Sequence, residues 1–246
     1  MGIREVERQV LLVLEIDMLS ISATSEWQNA YPGAIIGLLE LSGIDNTLTS
    51  ASLDERKREA ENHLRERYQG FTRKDFLALP VLSAYQQYYR RFDKTYHVQL
   101  QVESIVLKAK SLPNVSPLVD ANFIAEVETF VLTAGHDVTK LHGPISIDVS
   151  GEDDQMTQMN GNSKRIRAGD MIMRDADGIC CSIIYGQDNR SPISAETSQI
   201  LYVAYAPVGV PSKVVDTQLG KIVDNIRLFS QTAIVEQQYL LHAKPS

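Results

Sequence analysis

Cysteine is nearly absent from this chain: two residues in 246, Cys180 and Cys181, side by side. Neighbours in a strand point to opposite faces, so the pair is poorly placed for a disulfide. The expected setting is therefore a reducing one, the cytoplasm. Long apolar runs are also missing. The first, "VLLVLEI" at 10–16, follows the charged "REVER" and is too short for a secretion signal or a bilayer span. Without secretion, the sequon "NVS" at 114–116 implies no glycan. The five histidines, at 63, 97, 136, 142 and 242, form no HxH or HxxxH pair, and no zinc spacing accompanies them. A Gly-rich phosphate loop and a nucleophile elbow are missing. "DADG" at 175–178 lacks the later ligands of a calcium loop and reads as a turn. No metal and no cofactor are expected.

What is present is a core and an uneven charge. Hydrophobic residues make up 43% of the chain, enough to bury a real interior. The net charge of −7 argues against general phosphate binding. Residues 54–110, however, hold 12 Lys/Arg against 8 Asp/Glu, a balance of +4, and leave −11 for the rest. This basic part contains "SAYQQYYRRF" at 83–92, whose rings and arginines invite a nucleic-acid reading. On a helix, Leu82, Tyr85, Tyr89 and Phe92 share one stripe, with Tyr88 at its edge. The rings are then the buried face, and Arg90 and Arg91 fall outside it as the candidate RNA contacts.

The rest divides into a helix-rich and a strand-rich half. "QVLLVLEI" at 9–16 and "AIIGLLEL" at 34–41 read as buried strands. A helix follows with Leu53, Ala60, Leu64 and Tyr68 on one face and Ser52 as its cap. Thr72 with Asp75 resembles a capping box, and Pro80 separates that helix from the tyrosine-rich one. Further helices are expected over about 100–110 and from 118, after "LPNVSP". "TAGHD" at 133–137 reads as a loop, with Asp137 capping "VTKL". "PISIDVS" alternates as a strand, and "GEDDQMTQMNGNSK" reads as an exposed, turn-rich stretch. "DMIMRDADGICCSIIYG" forms a hairpin, and "SQILYVAYAP" a buried strand. Val215, Leu219, Ile222, Val223, Ile226 and Phe229 mark a closing amphipathic helix over about 212–230. With no repeat and no linker, one α+β domain is expected.

His136, between Gly135 and Asp137, and Asp188 with Arg190 in "YGQDNRSPIS" are polar groups at positions that expose functional residues in many folds. For His136 a hydrogen-bonded structural histidine is the commoner explanation, and for Asp188 and Arg190 a turn closed by a local ion pair explains them equally.

Three segments in order, "YPGAIIGLLELSGIDN", "LPNVSPLVDANF…TAGHDVTKL" and "GDMIMRDADGICCSIIYGQDNRSPISAETSQILYVAYAP", resemble the B3/B4 tRNA-binding domain. That module belongs to the β subunit of bacterial phenylalanyl-tRNA synthetase and also occurs as a freestanding protein. The resemblance spans about residues 30–206. It implies an α+β fold of three layers around a β-sandwich-like core. It also implies an editing function, the hydrolysis of tyrosine wrongly esterified to the phenylalanine tRNA. No aminoacylation core is visible, so the chain is not expected to charge tRNA.

Asp120 and Asp137 match the family pattern, with Glu128 between them. The editing asparagine position falls at Phe123, beside Asn122. The histidine position falls at Ala134, two residues before His136. The glutamate position falls at Gln187, after Gly186 and beside Asp188. Two functions follow from these displacements. One is a freestanding deacylase acting on mischarged aminoacyl-tRNA in trans. In it Asp188 positions or deprotonates water, His136 donates to the leaving oxygen, and amides near Gly186 hold the oxyanion. A carboxylate beside His136 would favour its charged form. The other is a non-catalytic module for tRNA or an amino-acid-like ligand. Asn122, Gly186, Gln187 and Arg190 are its ligand contacts. The two separate on whether Asn122, His136 and Asp188 converge on one cleft.

Overall fold

A computed structural model describes residues 19–47 and 50–244; the strand expected at 9–16 lies outside them. The helices are α1 (Ser25–Ala30), α2 (Ala51–Arg67), α3 (Arg73–Ala78), α4 (Pro80–Arg90), α5 (His97–Lys108), α6 (Pro117–Thr129) and α7 (Ser212–Arg227). The strands are β1 (Ile21–Ala23), β2 (Ile35–Ser42), β3 (Thr133–Asp137), β4 (Ile145–Val149), β5 (Gln155–Thr157), β6 (Ser163–Arg165), β7 (Met171–Asp175), β8 (Gly178–Ser182), β9 (Gly186–Gln187), β10 (Ile200–Ala206) and β11 (Ile234–His242). One sheet runs β1-β4-β7-β8-β9, and a second runs β11-β2-β10-β3. β5 and β6 pair as a small hairpin. The fold is α+β.

The apolar runs become the sheet centres. β2 is buried at all eight positions and β10 at all seven. Such unbroken runs suit strands covered on both faces. On β2, Gly37 is required by its cover: a Cβ there would stand 2.6 Å from Val215 Cγ1 of α7. Val215, Leu219, Ile222, Val223 and Ile226 all point inward from that helix. One core cluster joins both sheets and the helices.

The tyrosine-rich stretch is α4, with Pro80 at its first turn. Tyr85, Tyr88, Tyr89 and Phe92 are at most 5% exposed, and Arg90 and Arg91 face outward. Each tyrosine hydroxyl ends on backbone or a buried acid. Tyr85 Oη donates to Tyr205 O at 2.6 Å and accepts from Leu132 N at 2.9 Å. Tyr88 Oη donates to Asp170 Oδ1 at 2.5 Å, and Tyr89 Oη to Ile183 O at 2.9 Å. These rings tie the helix to strands and loops 47 to 120 residues away and are not a base-stacking platform.

Several local expectations change. Ser50, not Ser52, caps α2, accepting from Leu53 N at 3.1 Å. "TAGHD" is not a loop: it is the edge strand β3, in register with β10 over five positions. The stretch after "PISIDVS" contains the β5–β6 hairpin. β1, α1 and β11 were not foreseen.

Lys57 is 4% exposed and joins α2 to α6 through Asp120 Oδ2 at 2.5 Å, Asn114 Oδ1 at 2.7 Å and Pro113 O at 3.0 Å. Lys57→Ala leaves a buried carboxylate without its counter-charge. Urea denaturation is expected to show a loss of about 3–5 kcal/mol. A loss below about 1 kcal/mol would mean that the pair is solvated.

Candidate functional site

A cavity of about 330 Å³ lies where the two sheets and α6 meet. β3 supplies Thr133, Ala134 and Gly135, β10 supplies Tyr202 and Tyr205, and α6 supplies Asn122 and Phe123. Cys181, Ser182, Gly186 and Gln187 close it from the other sheet. Gly135 keeps it open, since a Cβ there would meet Ile193 Cδ1 at 2.9 Å and the Tyr202 ring at 3.0 Å.

Of the residues singled out in the sequence, Asn122, Gly186 and Gln187 line this cavity, as do Phe123 and Ala134, where the family's asparagine and histidine positions fall. Asn122 Nδ2 is held by Thr133 O at 3.1 Å. Gln187 Nε2 donates to Ser191 O at 2.8 Å and lies 3.1 Å from His136 Nδ1. The carbonyl of Gln187 is thus its group left for a ligand.

His136, Asp188 and Arg190 do not line it. Asp137 N donates to Ser191 O at 3.1 Å, so the segment after β9 folds across the end of β3 and covers His136. His136 is 0% exposed and Asp188 1% exposed. They meet only through Ser191, whose Oγ lies 2.8 Å from His136 Nδ1 and donates to Asp188 Oδ1 at 2.9 Å. In a hydrolytic triad the imidazole stands between hydroxyl and carboxylate; here the hydroxyl stands between the other two. His136 Nε2 has no partner among the described residues. The expectation of a charged imidazole also fails. Burial dominates and drives its pKa down to about 3, with Asp175 opposing and Arg190 assisting. His136 is neutral at physiological pH.

Arg190 is an anchor. Its Nη atoms donate to both Asp175 oxygens at 3.1 and 3.2 Å, and its Nε lies 2.7 Å from Asp188 Oδ2. That last contact is an ion pair outside hydrogen-bond alignment. The guanidinium is engaged by these carboxylates, which leaves it no free face for the cavity.

No Asp, Glu, Lys or Arg lines the cavity among the described residues. His97, its one imidazole, is held toward the neutral form by burial. Burial pushes the Cys181 thiol up to about 12. Ser182 Oγ is bound to the Asp170 carboxylate. The chamber is therefore uncharged, aromatic and amide-lined, and its one basic group is the His97 imidazole, whose Nδ1 lies 3.4 Å from Tyr89 Oη.

On the buried face of α6 sits a carboxyl that is not among the residues singled out in the sequence. Glu126 is 3% exposed and accepts from Thr133 N at 2.7 Å. Burial raises its pKa to about 8, against the pull of its hydrogen bonds from Thr133 and Asn122. Its signal was present: an acid four residues after Asn122, on the same face of an apolar helix. Tyr202 and Tyr205 carried no such mark within their all-apolar strand.

A comparison with curated proteins finds no match to this chain. Among solved structures, an N-terminal fragment of the phenylalanyl-tRNA synthetase beta-subunit from Pyrococcus horikoshii is similar at 8% identity and a TM-score of 0.45. The similarity covers 89% of this chain and 55% of that fragment, so the chain spans about half its length. The B3/4 domain family matches residues 83–216, a stretch that contains every residue lining the cavity. The chain belongs to the B3/4 domain family.

Proposed function

We propose that this protein is a tRNA-related binding module that takes the aminoacyl end, or an amino-acid-like ligand, into the neutral cavity without hydrolysing it. The observation that carries this is the lining itself. It offers aromatic walls and the Gln187 amide, holds no charged group, and has as its one basic group the His97 imidazole, beside the Tyr89 hydroxyl rather than paired with a carboxylate. A zwitterionic amino acid would bury two charges there with no counter-charge. An esterified one, with its carboxylate removed by the bond to tRNA, presents less charge and suits the lining better. Hydrolysis would need a general base within hydrogen-bond reach of the water. The polar groups offered for that role, His136 and Asp188, are sealed behind the wall.

The test is a panel of mischarged tRNAs, assayed for both binding and ester lifetime. Binding is expected, with ester half-lives equal to those without protein. Ala134→Leu, which fills the cavity, and Gln187→Ala should each weaken binding of the charged form about tenfold or more, roughly the worth of one lost contact. Accelerated deacylation that His97→Ala, His136→Ala or Asp188→Asn abolishes would restore the hydrolytic reading. Equal binding by wild type and Ala134→Leu would place the ligand elsewhere.

A further inference from the structure

A second cavity, of about 370 Å³, opens on the other side of α4. Its walls are Tyr31 and Pro32 before β2, Tyr88 on α4, and Pro207 and Val208 after β10. At its rim stands Arg91. The guanidinium carbon lies 5.3 Å from the centroid of the Tyr31 ring, 5.5 Å from that of Tyr88 and 5.6 Å from that of Phe92. Three rings thus fix one arginine in place while leaving it exposed. Among the described residues Arg91 makes no ion pair, and its polar partner is the Tyr31 hydroxyl, although this protein pairs Arg56, Arg65, Arg174 and Arg190 with carboxylates. An oriented guanidinium without a counter-charge presents its N–H fork to an anion.

The neighbouring charges favour the same ligand. Asp93 is engaged by Arg167 at 2.9 Å. Asp170 is buried and takes hydrogen bonds from Tyr88 and Ser182. Arg90 and Lys94 flank Arg91 in sequence with no ion pair among the described residues. Val208, 58% exposed, leaves an apolar lip. The volume is more than twice the ~150 Å³ that holds one benzene, so a body of about 15 non-hydrogen atoms fits. Apolar and aromatic walls of that size with one free guanidinium suit a flat heterocycle carrying an anion.

We infer that this cavity is a nucleotide site, in which the Tyr31, Pro32, Pro207 and Val208 walls receive the base, the ribose stays at the mouth, and Arg91 on the rim binds the phosphate. It is separate from the neutral cavity and does not rest on the function proposed for that one. A free mononucleotide and a nucleotide unit of an RNA strand present the same chemistry.

The full chain is titrated with AMP, with adenosine and with a single-stranded oligoribonucleotide, alongside Arg91→Gln and, as a wall variant, Val208→Asp. AMP should bind at least tenfold more tightly than adenosine. Arg91→Gln should erase that difference while lowering the melting temperature by only about a few degrees, as the loss of exposed cation–π contacts does. For the oligonucleotide, the slope of log affinity against log salt should fall by about 0.7 in this variant, the value for one phosphate contact on a single strand. Val208→Asp should weaken both ligands at least tenfold. An oligonucleotide preferred tenfold or more over AMP identifies the source as RNA, and equal affinities identify a free nucleotide. AMP and oligonucleotide binding that Arg91→Gln leaves untouched overturns the inference, as does the absence of binding by either.

Discussion

Tyr85→Ala is expected to unfold the protein more readily than any other single truncation on α4, by on the order of 5 kcal/mol. Removing a buried aromatic ring costs about 3–5 kcal/mol through lost transfer energy and the cavity left behind. Tyr85 adds two further terms. Its ring stacks on Tyr96 at a centroid separation of 4.2 Å and an interplanar angle of 7°. Its hydroxyl joins Tyr205 O of β10 to Leu132 N just before β3, so the variant strands a buried acceptor and a buried donor. Tyr85→Phe separates the terms. It keeps the ring and loses the bridge, and should cost about 2 kcal/mol, the desolvation of the orphaned groups. Urea denaturation of both variants checks this. A Phe variant as stable as wild type would show that water or a backbone shift replaces the bridge.

That bridge also shows why the aromatic helix was legible in the sequence and its partners were not. The spacing of Leu82, Tyr85, Tyr89 and Phe92 is local, and helical periodicity reports it directly. The same holds for β2, β10 and α7, whose apolar patterns run uninterrupted. β3 is different. Gly135, His136 and Asp137 are all turn formers, and pairing with β10 overrides their preference. β11 is an edge strand of mixed exposure, so it has neither the alternation nor the continuous run that marks a strand.

The candidate site divides in the same way. The segments around Asn122 and Gly186–Gln187 were found, and they do line the cavity. His136 and Asp188 were assigned to it because they are titratable and close in sequence to those segments. Nothing local announces that Ser191 folds over the strand end, or that Arg190 is drawn to Asp175, thirteen positions and a hairpin away from Asp188. Burial then reverses the charge state that proximity to a carboxylate had suggested for His136.

Glu126→Gln is expected to change the pH dependence of stability more than any surface charge does. The folded state holds the Glu126 proton up to about pH 8, whereas the unfolded chain releases it near the ordinary glutamate value, about 4.3. Between these values the native state binds more protons than the unfolded one. Stability therefore falls as pH rises, by at most about 1.4 kcal/mol per unit. His136 acts in the opposite sense. With a folded pKa of about 3 and an unfolded value near 6.5, it withdraws stability as pH falls from about 6.5 to about 3. From about pH 4.5 to 6.5 the two slopes oppose each other. Above about 6.5 Glu126 acts without that opposition, until it ionises near 8. Glutamine keeps the amide-sized shape and the acceptor for Thr133 N but carries no titrating proton. The stability of Glu126→Gln relative to wild type should accordingly climb from pH 5 to pH 8 and level off above it. Asp170, with its own pKa raised by burial to about 6, is present in both proteins and cancels from the comparison. Urea denaturation of the two proteins at one-unit intervals from pH 5 to pH 9 measures the difference. A constant gap across that range would mean that Glu126 is ionised in the folded state at every pH tested, and that the polar group behind the cavity is a carboxylate rather than a carboxylic acid.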